Sequence, residues 1–316
     1  MATKGVSVLV GAFFLLIVGV WHFAFSGEGP PNYDHHAHVD TREPKHPIAH
    51  PPLVQPSCVD TEQTMLATAA NLLNSRAYQI TDKVGDKEAE TLFRGMGHIG
   101  QAMPEFHYYY SATKNRTWVK TVCEVGFNAG HSALAFLMGN PKIRYVAFDL
   151  LFVRWTKGMI EFMQGAFPGQ IIHIPGPSMD SVPGWNPKKD FADFTGCDLI
   201  SADGKHSDPE AYMLVPLFPP PPRSPSLFSF LITNRDIVHL AKHAKTGAVV
   251  LSDDFSDNFP DVKKGWHRFV SEGLVKEVAC IESGVVSFGF AKNWCHGTLL
   301  KGGYPADPDN PEAQGL

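Results

Sequence analysis

The five cysteines of this 316-residue chain, Cys58, Cys123, Cys197, Cys280 and Cys295, include no CxxC pair and no Cys/His spacing suited to a metal. That argues against a structural zinc module. They read as buried thiols, and in an oxidising compartment Cys280 and Cys295, the closest-spaced two, are the candidate pair. Positive charge is also scarce, with 27 Lys and Arg against 32 Asp and Glu and a formal net charge of -5. Nucleic-acid binding normally needs a clustered basic face, so no nucleic-acid partner is expected. With 44% hydrophobic and 19% charged residues, the composition suits one large α/β domain with extensions.

Charged residues are missing altogether from Val6 to Phe25, VSVLVGAFFLLIVGVWHFAF. That run has about the 20 residues a helix needs to cross a bilayer core. Lys4 precedes it and Glu28 follows, a bias that places the N-terminus in the cytosol and the rest in the lumen or outside the cell. Residues 1–26 are therefore expected to be a single transmembrane anchor. A signal peptide cleaved near Ala24 and Ser26, giving a secreted protein, is one alternative, and a buried helix is another. Residues 27–58, rich in Pro and His without apolar periodicity, read as a flexible stem, with the histidines of YDHHAHVD as solvated tether rather than metal ligands. The sequon Asn115-Arg116-Thr117 suits a lumenal domain.

From Asp60, a plausible N-cap, the spacing of Met65, Leu66, Ala69, Leu72 and Leu73 predicts a helix, and KEAETLFRGMGHIG predicts a second. Strand-like runs then alternate with helical stretches: WVKTVCEVG, IRYVAFDL, QIIHIPG, CDLISAD and GAVVLSDD. This order predicts parallel β-α units. LVKEVACIES and GVVSFGFAK, on either side of a Ser283-Gly284 turn, predict a terminal antiparallel hairpin. The expected fold is α/β, a Rossmann-like, mostly parallel sheet with helices on both faces, over residues 59–296. Residues 297–316 are expected to be a disordered tail. Four consecutive prolines in VPLFPPPPRSPSLFSFL cannot continue a helix or a central strand, so about 216–228 is a Pro-rich insertion, with a PxxP partner motif as the sharper alternative.

Two constellations carry chemistry. In Glu124-Val125-Gly126-Phe127-Asn128-Ala129-Gly130-His131-Ser132, a strand end runs into a helix start. Gly126 permits a tight turn, Gly130 a close backbone approach, and the helix N-terminus offers free N–H groups. Asp149, closing the next strand about twenty residues on, suits the ribose hydroxyls of a nucleoside cofactor, or else a helix N-cap. The second constellation is Asp203 with Asp253 and Asp254, at the carboxyl ends of the fourth and fifth strands. Three converging carboxylates repel unless a cation or proton sits between them, and hard oxygen ligands suit Mg²⁺ or Ca²⁺. The alternative is that they only cap loops.

EVGFNAGHSA, FDL, PGPSMDSVP, ADGKHS and LSDDF resemble the small-molecule O-methyltransferases of the class I S-adenosylmethionine-dependent superfamily, over about residues 90 to 292. The resemblance implies that Glu124, Gly126, Gly130 and Ser132 line the methionine and ribose side of S-adenosylmethionine. It also implies that Asp149 holds the ribose and that Ser178 with Asp180 lies near the adenine. Metal-dependent catechol-type members carry an acidic residue after the fourth strand and an Asp-Asn or Asp-Asp pair after the fifth, matching Asp203, Asp253 and Asp254 here. His206 stands where those relatives often have a Lys base, so Asp203 and His206 are the catalytic candidates, with a capping or core role the alternative for His206. Lys205 replaces a second Asp and Asp208 a Tyr. The expected activity is O-methylation of a small hydroxylated metabolite or glycan. A membrane-anchored glycosyltransferase and a non-catalytic domain of the same fold are the rivals.

Overall fold

The computed structural model describes residues 58–83, 102–204, 236–287 and 290–314. The expected anchor, nearly all of the expected stem, the helix expected at KEAETLFRGMGHIG, the Pro-rich stretch, and Lys205, His206 and Asp208 lie outside the described residues. Residues from Asp60 onward belong to one compact unit. Among the described residues no helix is long and apolar enough to cross a membrane.

Seven strands form one sheet in the order β3-β2-β1-β4-β5-β7-β6. β1 (Thr121–Val125), β2 (Arg144–Asp149), β3 (Ile171–Pro175), β4 (Cys197–Ala202) and β5 (Ala244–Ser252) run parallel, while β7 (Phe290–Leu299) is antiparallel to both β5 and β6 (Val275–Ser287). Every residue of β1 and β4 is buried. Strands covered on both faces read as continuous apolar runs, which is why the sequence located them. β3-β2-β1 on one side and β4-β5 on the other place a switch in strand order at β1 and β4, where the carboxyl ends of an open α/β sheet form a crevice.

The first described helix, α1 (Cys58–Lys83), begins two residues before Asp60 and buries Leu66, Ala70, Leu73 and Ala77, a stripe at helical spacing. α2 (Met103–Lys114) starts with Pro104 in its first turn and buries Phe106, Tyr109, Tyr110 and Ala112 together with the polar Glu105 and Thr113. α3 (His131–Gly139), α4 (Arg154–Ala166), α5 (Ser178–Gly184), α6 (Pro187–Asp190) and α7 (Pro260–Ser271) follow their strands.

Three expectations need correction. The hairpin does not turn at Ser283-Gly284: pairing continues to Ser287 opposite Phe290, and Gly284, at φ 69°, lies in an irregularity of β6 where the register shifts. A glycine that permits left-handed backbone serves a bulge as readily as a turn. Residues 297–314 are not a disordered tail. β7 runs through Leu299, Tyr304 bridges to Lys245, and Asn310 Nδ2 donates to the Gly247 carbonyl at 2.8 Å. The anchor of this segment is buried: Lys245 Nζ donates to Asp198 and Asp307 at 2.7 Å each, and Asp198 also accepts from the Lys120 and Thr121 amides. Burial alone pulls the Lys245 ammonium down, yet the two carboxylates hold it above its usual range. Finally, four cysteines are not free thiols. Cys123 pairs with Cys197 between β1 and β4, and Cys280 with Cys295 across β6 and β7, the second being the pair that spacing had singled out.

Candidate active site

The backbone ladder continues past the strand ends and sets the site residues side by side. Gly126 N donates to Phe148 O at 2.9 Å, Asp203 N to Val125 O at 2.9 Å, and Asp253 N to Ala202 O at 3.3 Å. Gly126 (φ 96°) and Gly130 (φ 80°) both adopt left-handed backbone, where a side chain is strained. Space is as restrictive as conformation. A Cβ on Gly126 would lie 2.0 Å from the Asp203 carbonyl oxygen, and one on Gly130 would lie 2.7 Å from the Phe127 ring. The glycine loop is therefore packed directly on the β4 end that carries Asp203. Gly130 forms the N-terminus of α3 and contributes no side-chain cap. His131, next in line, is tied to Asn74 of α1 at 2.8 Å.

Asp149 braces this loop. Its Oδ2 accepts from the Phe127 and Asn128 amides at 2.8 and 3.2 Å, and its Oδ1 from the Leu151 amide at 2.6 Å. It is thus no helix N-cap, and its half-buried carboxylate keeps acceptor capacity on Oδ1 for a ligand hydroxyl. Glu124 and Ser132 meet beneath the loop: Ser132 Oγ donates to Glu124 at 2.6 Å, Ser201 Oγ at 2.9 Å, and the Tyr145 hydroxyl makes a third bond. Burial pushes the Glu124 carboxyl up to about 7, and the three hydroxyl donors only partly offset that rise. Ser178 and Asp180 open α5 after β3; Asp180 borders an open cleft of about 540 Å³ together with Ile174, Gly176, Ser181 and Trp185.

The acidic cluster is assembled. Asp203, Asp253 and Asp254 each present an oxygen, and these atoms lie within 4.8 Å of one another. Asp253 and Asp254 are buried, Asp203 half-buried. Asp254 adopts φ 56°, a conformation Asp tolerates better than most residues, and its amide donates to Asp253 Oδ1 at 2.6 Å.

Three further residues in this cluster were not anticipated from sequence. Lys292 of β7, almost fully buried, places Nζ 3.1 Å from Asp254 Oδ1. Burial pulls its ammonium down, but Asp253, Asp254, Glu105 and Asp203 outweigh that and hold it high. Glu105 of α2 is fully buried against Asp253, and burial followed by that neighbouring carboxylate keeps its carboxyl well above the ordinary range. Tyr109, one turn on, stacks on Phe136 with ring centroids 5.2 Å apart, and its phenol lies in the field of Asp253, Glu105, Asp203 and Glu124. The sequence held one hint, a lysine inside the apolar run FAKNWC, obscured by the misplaced turn.

The donor set fits a hard divalent cation: three carboxylates, with one Asp254 oxygen shared with an ammonium that reduces their mutual repulsion. His206, the base candidate, lies outside the described residues.

No protein-family model and no curated protein matches the chain. Among solved structures it is similar to cofactor-bound Rv0187 from MTB, at 15% identity and TM-score 0.47, covering 78% of this chain and 100% of that one. It is also similar to the O-methyltransferase TomG from Streptomyces achromogenes, in complex with SAM, at 13% identity and TM-score 0.48, covering 73% and 90%. A third, the O-methyltransferase from Bacillus cereus in complex with SAH, shows 11% identity and TM-score 0.43, covering 78% and 93%. These likenesses concern the fold alone.

Proposed function

We propose that this chain is an S-adenosylmethionine-dependent methyltransferase acting on a hydroxyl of a small metabolite or glycan, assisted by a divalent cation such as Mg²⁺. The observation that carries the reading is the contact of Gly126 with the Asp203 carbonyl, which leaves no room for a Cβ. It makes the cofactor-type loop and the carboxylate cluster immediate neighbours, as transfer between a cofactor and an acceptor oxygen requires.

S-adenosylmethionine supplies an electrophilic methyl group. The Gly126–Gly130 loop and the α3 N-terminus would receive its polar groups, Asp149 its ribose hydroxyls, and the cleft beside Asp180 its base. Asp203, Asp253 and Asp254 would hold the cation, whose chemistry is to lower the pKa of a bound hydroxyl and fix its oxygen in place. Lys292 keeps Asp254 oriented and offsets part of the excess negative charge. Glu124, sealed in its hydroxyl cage, shapes the loop from below.

The two disulfides support residence in an oxidising compartment, in keeping with a lumenal domain behind a single N-terminal anchor. The test is release of S-adenosylhomocysteine from S-adenosylmethionine over a panel of phenols, polyols and saccharides, with Mg²⁺ and with EDTA. Turnover that needs Mg²⁺ supports the reading. Turnover indifferent to EDTA removes the cation, and hydrolysis of a UDP-sugar in place of methyl transfer removes the methyltransferase.

A further inference from the structure

One buried side of α2 carries two polar groups, Glu105 and Tyr109, beside the acidic cluster. Glu105 and Tyr109 are four residues apart and share one side of the helix. Both are completely buried, and among the described residues the Tyr109 hydroxyl meets no hydrogen-bond partner. Glu105 faces Asp253, another carboxyl, which is a poor neighbour for it. A buried hydroxyl without a partner weakens the fold, and native structures keep few such groups. This one is also aimed: Phe136 holds the ring by stacking, and the carboxylates that act on the phenol come from β1, from the ends of β4 and β5, and from α2 itself.

We propose that Glu105 and Tyr109 are the acceptor-binding wall of this site, the Tyr109 hydroxyl donating to an oxygen of a small hydroxylated acceptor and the Glu105 carboxyl receiving an acceptor O–H. This rests on the methyl-transfer reading. The groups left unmet decide the ligand class. Among the described residues the cluster has many carboxylate oxygens and one ammonium, so a fitting ligand brings hydrogen-bond donors. A neutral polyhydroxyl compound does so, and a carboxylate or phosphate ester does not. α2 also sits on the side of the site that the terminal hairpin closes, because β7 supplies Lys292 beside Glu105.

The test uses the full chain with Tyr109→Phe and Glu105→Gln, and three readouts. In thermal unfolding without ligand, both variants are expected to melt higher than wild type, by about 2–6 °C at this size, because each removes a polar mismatch from a buried position. Titration with S-adenosylmethionine is expected to give affinities within twofold of wild type. On any polyol or phenol that wild type methylates, Tyr109→Phe is expected to lose at least tenfold in kcat/KM. A lower melting temperature for both variants marks them as ordinary core residues and overturns the proposal, as does full activity of Tyr109→Phe. Where no compound turns over, the sign of the melting shift decides. Failure of wild type to bind S-adenosylmethionine defeats the methyltransferase reading instead, and the melting shift still tells whether α2 carries a ligand-facing wall.

Discussion

Replacing Glu124 with Gln tests whether the buried hydroxyl cage has the electrostatics described. In the folded protein burial holds the Glu124 proton up to about pH 7, whereas the unfolded chain releases it near the ordinary 4.5. Folding therefore takes up a proton between those values, and stability declines as pH rises through that window. About 2.5 pH units at about 1.4 kcal/mol each give a loss of about 3.5 kcal/mol over the whole titration, an upper figure for one group, of which about 3 kcal/mol falls between pH 4.5 and 7.5. Gln has the same shape, carries no charge, and can still accept from Ser132 and Tyr145 at one position while its amide nitrogen donates toward the Ser201 hydroxyl at the other. Urea unfolding of wild type and Glu124→Gln at pH 5 and pH 8 isolates this contribution, because the other titrating groups are common to both. Wild type is expected to lose about 2–3 kcal/mol more than the variant on going from pH 5 to pH 8. An equal loss in the two proteins refutes the assignment of a raised pKa to Glu124.

Asp253→Asn is expected to weaken Mg²⁺ binding and turnover by at least tenfold while leaving S-adenosylmethionine affinity within twofold, since the anchors proposed for the cofactor lie on β1 and β2; calorimetric titration of each ligand checks the separation. Asp149→Ala removes a loop brace and the proposed ribose acceptor, so it should weaken S-adenosylmethionine by about 1–3 kcal/mol and lower the melting temperature as well; a folded variant with unchanged affinity takes Asp149 out of the site. Cys123→Ala with Cys197→Ala opens a 74-residue cross-link and should cost about 4 kcal/mol by the loop-entropy relation, read by denaturant unfolding without reductant; no loss would mean the pair is not joined. Asn115 is exposed at the end of α2, so a lumenal domain made in a secretory cell should shift in mass on glycosidase treatment, and an Asn115→Gln variant should not; an unmodified wild type argues against the lumenal placement.

The parallel core and the acidic trio were legible because each has a local signature. Buried parallel strands are continuous apolar runs, and Asp203, Asp253 and Asp254 end such runs where the fold brings strand ends together. The hairpin was misjudged because Gly284 looks the same in a sequence whether it makes a turn or a bulge, and only the cross-strand pairing of Cys280 with Cys295 and Ser287 with Phe290 separates the two. That error hid Lys292. The C-terminal segment is polar and proline-rich, so its order was invisible: it depends on one buried lysine, Lys245, fifty residues upstream in β5. α2 escaped notice for a different reason. Its buried face contains Glu105 and Thr113, so it has no clean apolar stripe, and Glu105 is one of the residues that reaches the acidic cluster.

The central claim is that the Gly126–Gly130 loop and Asp149 form a site for S-adenosylmethionine, and calorimetric titration tests it without any knowledge of the acceptor. The cofactor, NAD and a UDP-sugar are each titrated into the protein with and without Mg²⁺. One equivalent of S-adenosylmethionine should bind, tightly enough to saturate at submillimolar concentration, with neither NAD nor the UDP-sugar competing. Binding of NAD or the UDP-sugar with no heat from S-adenosylmethionine, in either metal condition, would contradict it.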